Sequence, residues 1–320
     1  MKQKKDVLLK SRLGSKDVFG YEDQSDLYSL YRPTYPQTLI SKAAQSTGEH
    51  SICLDVGCGT GQLSMPLSKL YKKVFGIDVS ETQLKKAKEV LESDQSISNI
   101  SYHFQNSHNI VELWKQEMQE SKIDLVTFGQ VLHWLDHDVI FSNYKEFMSE
   151  DSSFWVFSYA ICSIMTDDMV NQIKKEIDTG SSKYDEISAK NFKEDAKYSD
   201  GEDQASDWFS KFYQIIKPHF ECDREDVDTH YSNIEFNEYF SKVHKHLYYE
   251  VKSLTLNSFL MYLKSMSGYR CYLDKFPEQT DPLEDLMQEL VKIYSLGESP
   301  DFNSKSIDIV YPYHSISLKY

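Results

Sequence analysis

A chain of 320 residues with 40% hydrophobic and 27% charged residues has the make-up of a globular protein, built as one large domain or a core with an appended subdomain. Its formal net charge of −15 argues against nucleic acid as a general partner, because neutralising phosphates takes a basic face. No apolar run approaches membrane-spanning length, and the five scattered cysteines (Cys53, Cys58, Cys162, Cys222, Cys271) show neither metal-ligand spacing nor a disulfide framework, which points to a reducing, cytoplasmic setting.

In chain order, residues 1–16 are rich in Lys and poor in acids. They read as a solvated, frayed terminus rather than an organelle-targeting segment, since Lys replaces Arg and Asp6 interrupts the run. From residue 17, apolar and aromatic residues at helical spacing end at Tyr31, and Pro33 and Pro36 then force an extended stretch. A short helix over Thr38 to Ser46 stops at Gly48. Ile52 to Val56 reads as an apolar strand that runs into Gly57-Cys58-Gly59-Thr60-Gly61, with a helix starting near Leu63 and continuing to about Tyr71.

Three alternating glycines permit a sharp turn and a ligand's close approach to the main chain. A strand, a glycine turn and a helix at the start of an α/β unit mark the place where doubly wound sheets bind nucleotides. The dinucleotide fingerprint needs a third glycine where Gln62 stands, and the Gly-Lys-Ser/Thr of a P-loop is absent. Lys73 to Asp78 forms a second strand that ends in an acid at the distance suited to ribose hydroxyls.

Asp55-x-Gly57-x-Gly59-x-Gly61 followed by Asp78 resembles the Rossmann-like (class I) S-adenosylmethionine-dependent methyltransferases. The resemblance implies an α/β fold: a doubly wound, seven-stranded, mostly parallel sheet with helices on both faces and a helical cap. It also implies S-adenosyl-L-methionine as cofactor, cradled by Gly57, Cys58, Gly59 and Gly61. Asp55 would lie near its cationic ammonium and sulfonium, and Asp78 and Val79 at the ribose. Tyr31-Arg32-Pro33-Thr34-Tyr35-Pro36 resembles the trans-aconitate methyltransferase-like subgroup. There the segment closes over the site, which would present Tyr28, Tyr31 and Arg32 to it; the alternative is that these side chains pin the segment to the core.

Further along, Ser80 is the expected N-cap of a helix over Glu81 to Ser93, with Gln83 completing a capping box. Ile100 to Phe104 alternates as a third strand. The family's adenine-holding acid is replaced by Asn106, beside Ser107, and an amide oxygen there still accepts from an amino group. A fourth strand, Ile123 to Gln130, leads into His133-Trp134, which resembles the family's His-Trp motif at that strand's mouth. His133 would orient the acceptor or act as a base, with Tyr31 and Trp134 beside it; a structural histidine is the plain alternative. Gln130 would border the cofactor.

A helix over Phe141 to Met148 and a fifth strand over Ser153 to Tyr159 follow. Residues 162–203 look like an inserted cap with a mobile acidic segment at Ser199 to Asp203, and Ser206 to Pro218 has the apolar face of a cap helix. His244 and His246 alternate within a late strand, and no acid or Cys completes a metal site there. Leu254 to Arg270 resembles the family's substrate-facing helix. Trp134, Tyr269 and Arg270 would then meet the substrate, Arg270 by pairing with a carboxylate; a surface arginine is the alternative. Asp281-Pro282 caps a helix to Leu296, and the alternating tail from Ser306 reads as a hairpin or strand pair.

The chain thus divides into a flexible start (1–16), a lid and cofactor-binding core (17–161), a helical cap insertion (162–243) and C-terminal elements that complete the sheet (244–320). The expected reaction is methyl transfer to a small molecule, at a carboxylate oxygen of an organic acid, a nucleophile already ionised at neutral pH. A hydroxyl or quinone-like ring carbon served by His133 is an alternative acceptor, and a non-catalytic scaffold subunit is the alternative role. No nucleic acid, membrane or metal is expected as a partner, and monomer and homodimer both stay open.

Overall fold

The computed structural model describes Leu27, residues 30–220 and residues 225–320; Tyr28, Cys222 and the acid-poor start lie outside them. The elements run α1 (Gln37–Gln45), β1 (Ile52–Val56), α2 (Ser64–Leu67), β2 (Lys73–Asp78), α3 (Glu81–Ser93), β3 (Ile100–Phe104), α4 (Val111–Gln116) and β4 (Ile123–Gly129). After them come α5 (His137–Tyr144), β5 (Met148–Tyr159), β6 (Ser163–Ile164), α6 (Asp167–Thr179), β7 (Glu186–Lys190), α7 (Asp200–Ile216) and α8 (Glu225–Asp228). β8 (Lys242–Thr255), α9 (Leu256–Lys264), α10 (Ser267–Lys275), α11 (Pro282–Ile293) and β9 (Ser306–Lys319) complete the described chain.

One sheet holds the molecule together, in the order β3-β2-β1-β4-β5-β9-β8-β7, with β6 pairing β9 off this path. The block β3-β2-β1-β4-β5 is parallel throughout, and β9 enters antiparallel between β5 and β8. This is the expected doubly wound α/β fold, with β6 and β7 added to the seven strands anticipated. Alternation along the strands sends Cys53, Leu125 and Phe157 to one face, under α1, α2 and α3 and the apolar sides of α7, α9, α10 and α11. Leu54, Val56, Phe128 and Phe154 go to the other, under α4, α5 and α8. Buried on both sides, β1 is the near-continuous apolar run that a central parallel strand requires.

Every parallel strand points its carboxyl end the same way, so the turns after β1, β2, β3 and β4 gather along one edge. There the chain also brings β5's exit and the segment before α1. Thr34, Tyr35 and Arg32 are fastened to this region: Tyr313 donates its hydroxyl to the Thr34 carbonyl at 2.8 Å, and Tyr35 packs against Phe157 and Tyr159.

Several local expectations differ from what is seen: the helix after the glycine turn covers Ser64–Leu67 rather than reaching Tyr71, and β5 starts at Met148 rather than Ser153. Asp136 caps α5, its carboxylate accepting from Val139 N at 3.3 Å, so that helix begins four residues earlier than its apolar pattern indicates. Ser199 to Asp203 is not a mobile run but the cap and first turn of α7, where the acids lie against the positive end of the helix dipole. The stretch from Leu254 to Arg270 splits into α9 and α10 at Ser265-Met266. The tail is a single strand, paired with β8 from Ser306↔Thr255 to Lys319↔Lys242, rather than a hairpin.

Pro312 sits in the middle of that strand without breaking it. Its carbonyl accepts from Ala160 N at 3.2 Å, so its nitrogen also points to the β5 side. There residues 160–162 leave the sheet between β5 and β6, and no ladder bond needs the missing donor.

The segment 162–243 supplies α6, α7 and α8 and also places β6 and β7 in the common sheet. No helix among the described residues is long and apolar enough to cross a membrane, and these residues contain no group of three or more metal-ligating side chains.

Candidate active site

The glycine turn is built by backbone conformation. Gly57, Gly59 and Gly61 have φ of 64°, 55° and 87°, values that side-chain-bearing residues adopt only under strain. The room a Cβ would need is filled by neighbours: Val131 at Gly57, Gln83 at Gly59 and the Tyr102 hydroxyl at Gly61. Gly57 and Gly61 are therefore required by packing as well as by the turn, while Gly59 is required by the turn alone. Cys58 N donates to the Ile77 carbonyl at 3.0 Å, which lashes the turn to β2, and burial pushes the Cys58 thiol up.

The two acids divide the work. Asp55 is buried and accepts from Ser64 Oγ at 2.6 Å and from Thr127 Oγ1 at 2.8 Å. Thr127 is its register partner on β4 and Ser64 opens α2, so Asp55 clamps three elements together beneath the turn. Burial raises its pKa to about 6, with the two hydroxyls acting in the opposite direction. Asp78, at the edge, accepts from Gly59 N through Oδ2 and from Ser80 N through Oδ1, both at 2.9 Å. Ser80 in turn caps α3, accepting from Gln83 N at 3.4 Å.

Two apolar side chains stand exposed beside Asp78: Val79, at 65%, and Phe104, at 60%, the latter in register with Asp78 across the β2–β3 pair. Sequence reasoning found Val79 and missed Phe104, whose only signal is a large apolar residue on the exposed side of an edge strand. Asn106 is brought to the same edge with its oxygen already engaged. Its Oδ1 accepts from His108 N at 2.9 Å and lies 3.0 Å from His108 Nδ1, while His108 Nε2 accepts from Asp136 N at 3.3 Å. These partners assign the proton of His108 to Nδ1, and its burial lowers the imidazole pKa. The amide oxygen expected to meet a ligand thus joins the loops after β3 and β4, and the Ser107 carbonyl accepts from Tyr144 Oη at 2.8 Å in the same joint.

At the mouth of β4, Gln130 takes a φ of 54°. Its main-chain N donates to the Phe157 carbonyl at 2.9 Å and its Nε2 to the Tyr159 carbonyl at 2.7 Å. That leaves Oε1 buried with no hydrogen-bond partner, as is Thr60 Oγ1 in the glycine turn. Two unpaired acceptors by the turn, an acid at the end of β2 and exposed apolar surface beside it suit a ligand with an ammonium, a ribose and a purine. The residues present fit S-adenosylmethionine.

His133 and Trp134 lie in a 3₁₀ turn after β4; His133 Nδ1 is 3.0 Å from Tyr231 Oη, and the two neighbouring rings are 5.4 Å apart. Tyr231, missed in the sequence, comes from the turn after α8 and has a φ of 55°. Tyr31 is half-buried against the core.

A separate narrow recess opens past β5, lined by Arg32, Tyr159, Ala160, Phe220, Tyr262 and Met266 among others. Arg32 donates from Nη2 to the Ser265 carbonyl at 3.1 Å and lies 5.8 Å from the Tyr262 ring centre. Gln130 reaches the recess wall through its bond to Tyr159, and the next residue, Val131, packs at Gly57. Tyr269 and Arg270 do not line it: Tyr269 donates its hydroxyl to Asp281 Oδ2 at 2.6 Å, and Arg270 Nε pairs with Asp274 Oδ1 at 3.3 Å. Tyr262 and Met266 belong to the stretch that the sequence marks as substrate-facing, whereas nothing in the sequence around Phe220 marks it.

A model of the methyltransferase domain matches residues 48–216, just over half of the chain, from before β1 to the end of α7. The chain belongs to the methyltransferase-domain family, in the class I, S-adenosylmethionine-dependent group. It is 25% identical over 304 residues, 95% of each chain, to a Dictyostelium discoideum protein whose name assigns it to the methyltransferases. A Saccharomyces cerevisiae protein named as an S-adenosylmethionine-dependent methyltransferase is 23% identical over 137 residues, 42% of this chain and 45% of that one. Among solved structures, a type II methyltransferase of Anaeromyxobacter dehalogenans superposes with a TM-score of 0.59 at 15% identity, over 90% of this chain and 98% of that one, and so shares the fold.

Proposed function

We propose that the protein transfers a methyl group from S-adenosylmethionine to a carboxylate oxygen of a small organic acid. The observation that carries this reading is Arg32, a permanent cation and the one charged side chain among the described residues that line the recess beside Tyr159. The resemblance of Tyr31 to Pro36 to the trans-aconitate-like enzymes points to the same acceptor group.

When bound, the cofactor supplies an electrophilic methyl group on a sulfonium. Asp78, beside the exposed Val79 and Phe104, would hold the sugar end, and the buried Oε1 of Gln130 would accept from the ammonium end. Arg32 draws in the acid and orients it, its direction fixed by the Ser265 carbonyl. A carboxylate is ionised at neutral pH and needs no base. Rate enhancement then comes from alignment and from exclusion of water by the surrounding aromatic rings.

Incubation of the purified protein with labelled cofactor and a panel of organic acids, phenols and amines is the test, and base-labile methyl esters are the expected product. Labelling confined to phenols, amines or carbon overturns the proposal. One observation favours a second reading, a hydroxyl or ring-carbon acceptor: the Tyr231 hydroxyl holds His133 as an oriented imidazole would be held for proton abstraction. Loss of transfer in His133→Ala, with no acid accepted by the wild type, would select it.

A further inference from the structure

We infer that Gln62 reads the carboxylate at the amino-acid end of the cofactor, its side-chain amide donating to that group while the Gln130 oxygen accepts from the ammonium beside it. This rests on S-adenosylmethionine as the methyl donor and stands whichever acceptor is methylated.

Gln62 is the residue that separates this turn from a dinucleotide-binding one, which requires glycine in its place. Its Nε2 is buried and meets no hydrogen-bond acceptor, an arrangement that is costly unless a ligand relieves it. Gln62 lies in the first helical winding after the turn, where the Gly61 carbonyl accepts from Met65 N at 3.0 Å. The mouth of β4 adjoins it. A Cβ on Gly129 would stand 2.7 Å from Leu63 Cδ1, and a Cβ on Gly57 would stand 2.4 Å from Val131 Cγ2. Chain neighbours of the two glutamines thus touch the opposite segment, which places Gln62 and Gln130 on adjoining segments.

The two amides are complementary. Gln130 gives its Nε2 to the Tyr159 carbonyl, so its buried Oε1 can only accept, whereas Gln62 offers a buried donor. An ammonium and a carboxylate carried on one carbon call for that pairing. The carboxylate is the more demanding end, because Asp55 beneath the turn and Asp78 beside it both repel an anion. Three of the turn's own amides, the groups that hold the anion in a phosphate-binding turn, are engaged within the protein. Cys58 N donates to the Ile77 carbonyl, Gly59 N to Asp78 Oδ2 and Gly61 N to the Cys58 carbonyl. A side-chain donor is therefore needed, and Gln62 supplies it.

The experiment measures binding to the purified chain by calorimetry. The ligands are S-adenosylhomocysteine and two analogues, one with hydrogen in place of the carboxylate and one with hydrogen in place of the amine. Wild type should bind S-adenosylhomocysteine about tenfold or more tighter than the carboxylate-free analogue, as loss of a charge-assisted hydrogen bond requires. Gln62→Leu should lose that factor toward S-adenosylhomocysteine and the amine-free analogue, and keep wild-type affinity for the carboxylate-free one. Gln62→Glu, nearly the same shape and opposite in charge to a donor, serves where leucine upsets the turn; it should bind the carboxylate-free analogue tighter than S-adenosylhomocysteine. Equal wild-type affinity for S-adenosylhomocysteine and the carboxylate-free analogue overturns the inference. So does a loss of equal size toward both in the two variants, the mark of a merely structural side chain. A loss that vanishes with the amine-free analogue instead overturns it too, since the amide would then face the ammonium. Wild type that binds neither S-adenosylhomocysteine nor S-adenosylmethionine overturns the cofactor and the inference together, whereas labelling of phenols or amines alone removes the carboxylate acceptor and leaves Gln62 in its role.

Discussion

Asp55 is an acid placed where ionisation is costly. Both of its oxygens are taken by hydroxyls, it is buried, and its pKa is raised from 3.8 to about 6. A carboxyl group whose pKa is raised on folding binds more protons in the folded chain than in the unfolded one. Its contribution is therefore fully present below about pH 4 and lost as pH rises through 6. Asp55→Asn keeps the shape and one acceptor, and the Ser64 hydroxyl can turn to accept from the new amide. The unfolding free energy of the variant relative to wild type should rise by about 2 kcal/mol between pH 4 and pH 7. Urea titrations at each pH measure it, and a difference that stays flat contradicts the raised pKa. The glycines' spacing makes this position legible in the sequence, but not its direction. Thr127 is 72 residues away, and only the β1–β4 register brings it opposite Asp55. The same holds for Arg270, whose partner four residues on is readable as a helix pair but whose distance from the recess is not.

At the level of elements, local signals served best where they were strongest. The helix over Glu81 to Ser93 and the strand over Ile100 to Phe104 have the boundaries read from their caps and alternation. The start of α7 was obscured because acids and a glycine look like solvated loop, although Ser199 and Glu202 have the spacing of a capping box. In the fold, Ser199 Oγ accepts from Gly201 N at 3.2 Å and the Glu202 carboxylate accepts from Ser199 N at 3.1 Å. Phe209, Phe212, Tyr213 and Ile216 on the far turns anchor the helix, and Phe220 follows them into the recess. Ser199→Ala should therefore lower stability by about 1 kcal/mol while leaving methyl transfer unchanged, since the recess end of α7 is held independently. Unaltered denaturation midpoints would show that the acids do not form a helical turn in solution. The alternation of the tail does not tell a hairpin or strand pair from the single long β9, because Pro312 is tolerated only through a gap in the neighbouring strands that no local pattern reveals.

The molecule as a whole joins the methyltransferase core to its added strands through β9 and the turn after α8, and there two histidines are stacked, His314 buried and His230 half-buried. The His230 and His314 ring centres are 3.2 Å apart at 21°, and Tyr184 Oη lies 2.9 Å from His314 Nδ1. Nothing in the sequence couples residues 230 and 314; the antiparallel entry of β9 and the fold of 225–240 over the sheet bring them together. Burial lowers the pKa of His230 to about 4, against the pull of Asp228, and holds His314 well below its ordinary value, with the His230 charge acting in the same direction. A histidine whose pKa falls on folding binds fewer protons in the folded chain. Its contribution is complete above pH 6.5 and is lost as pH falls toward 4, the reverse of Asp55 over the same window. His230 has a φ of 57°, a conformation that Asn adopts with little strain, so His230→Asn removes the titrating group and keeps the turn. Between pH 6.5 and 4.5 the wild type should lose stability faster than this variant, by up to about 1.4 kcal/mol per pH unit for each proton no longer taken up. The difference should exceed one proton's worth if relief of His314 accompanies the substitution. Parallel stability–pH curves for the two proteins would mean that the histidine pair is already open to solvent, and that the junction between β9 and the turn after α8 is looser than this packing describes.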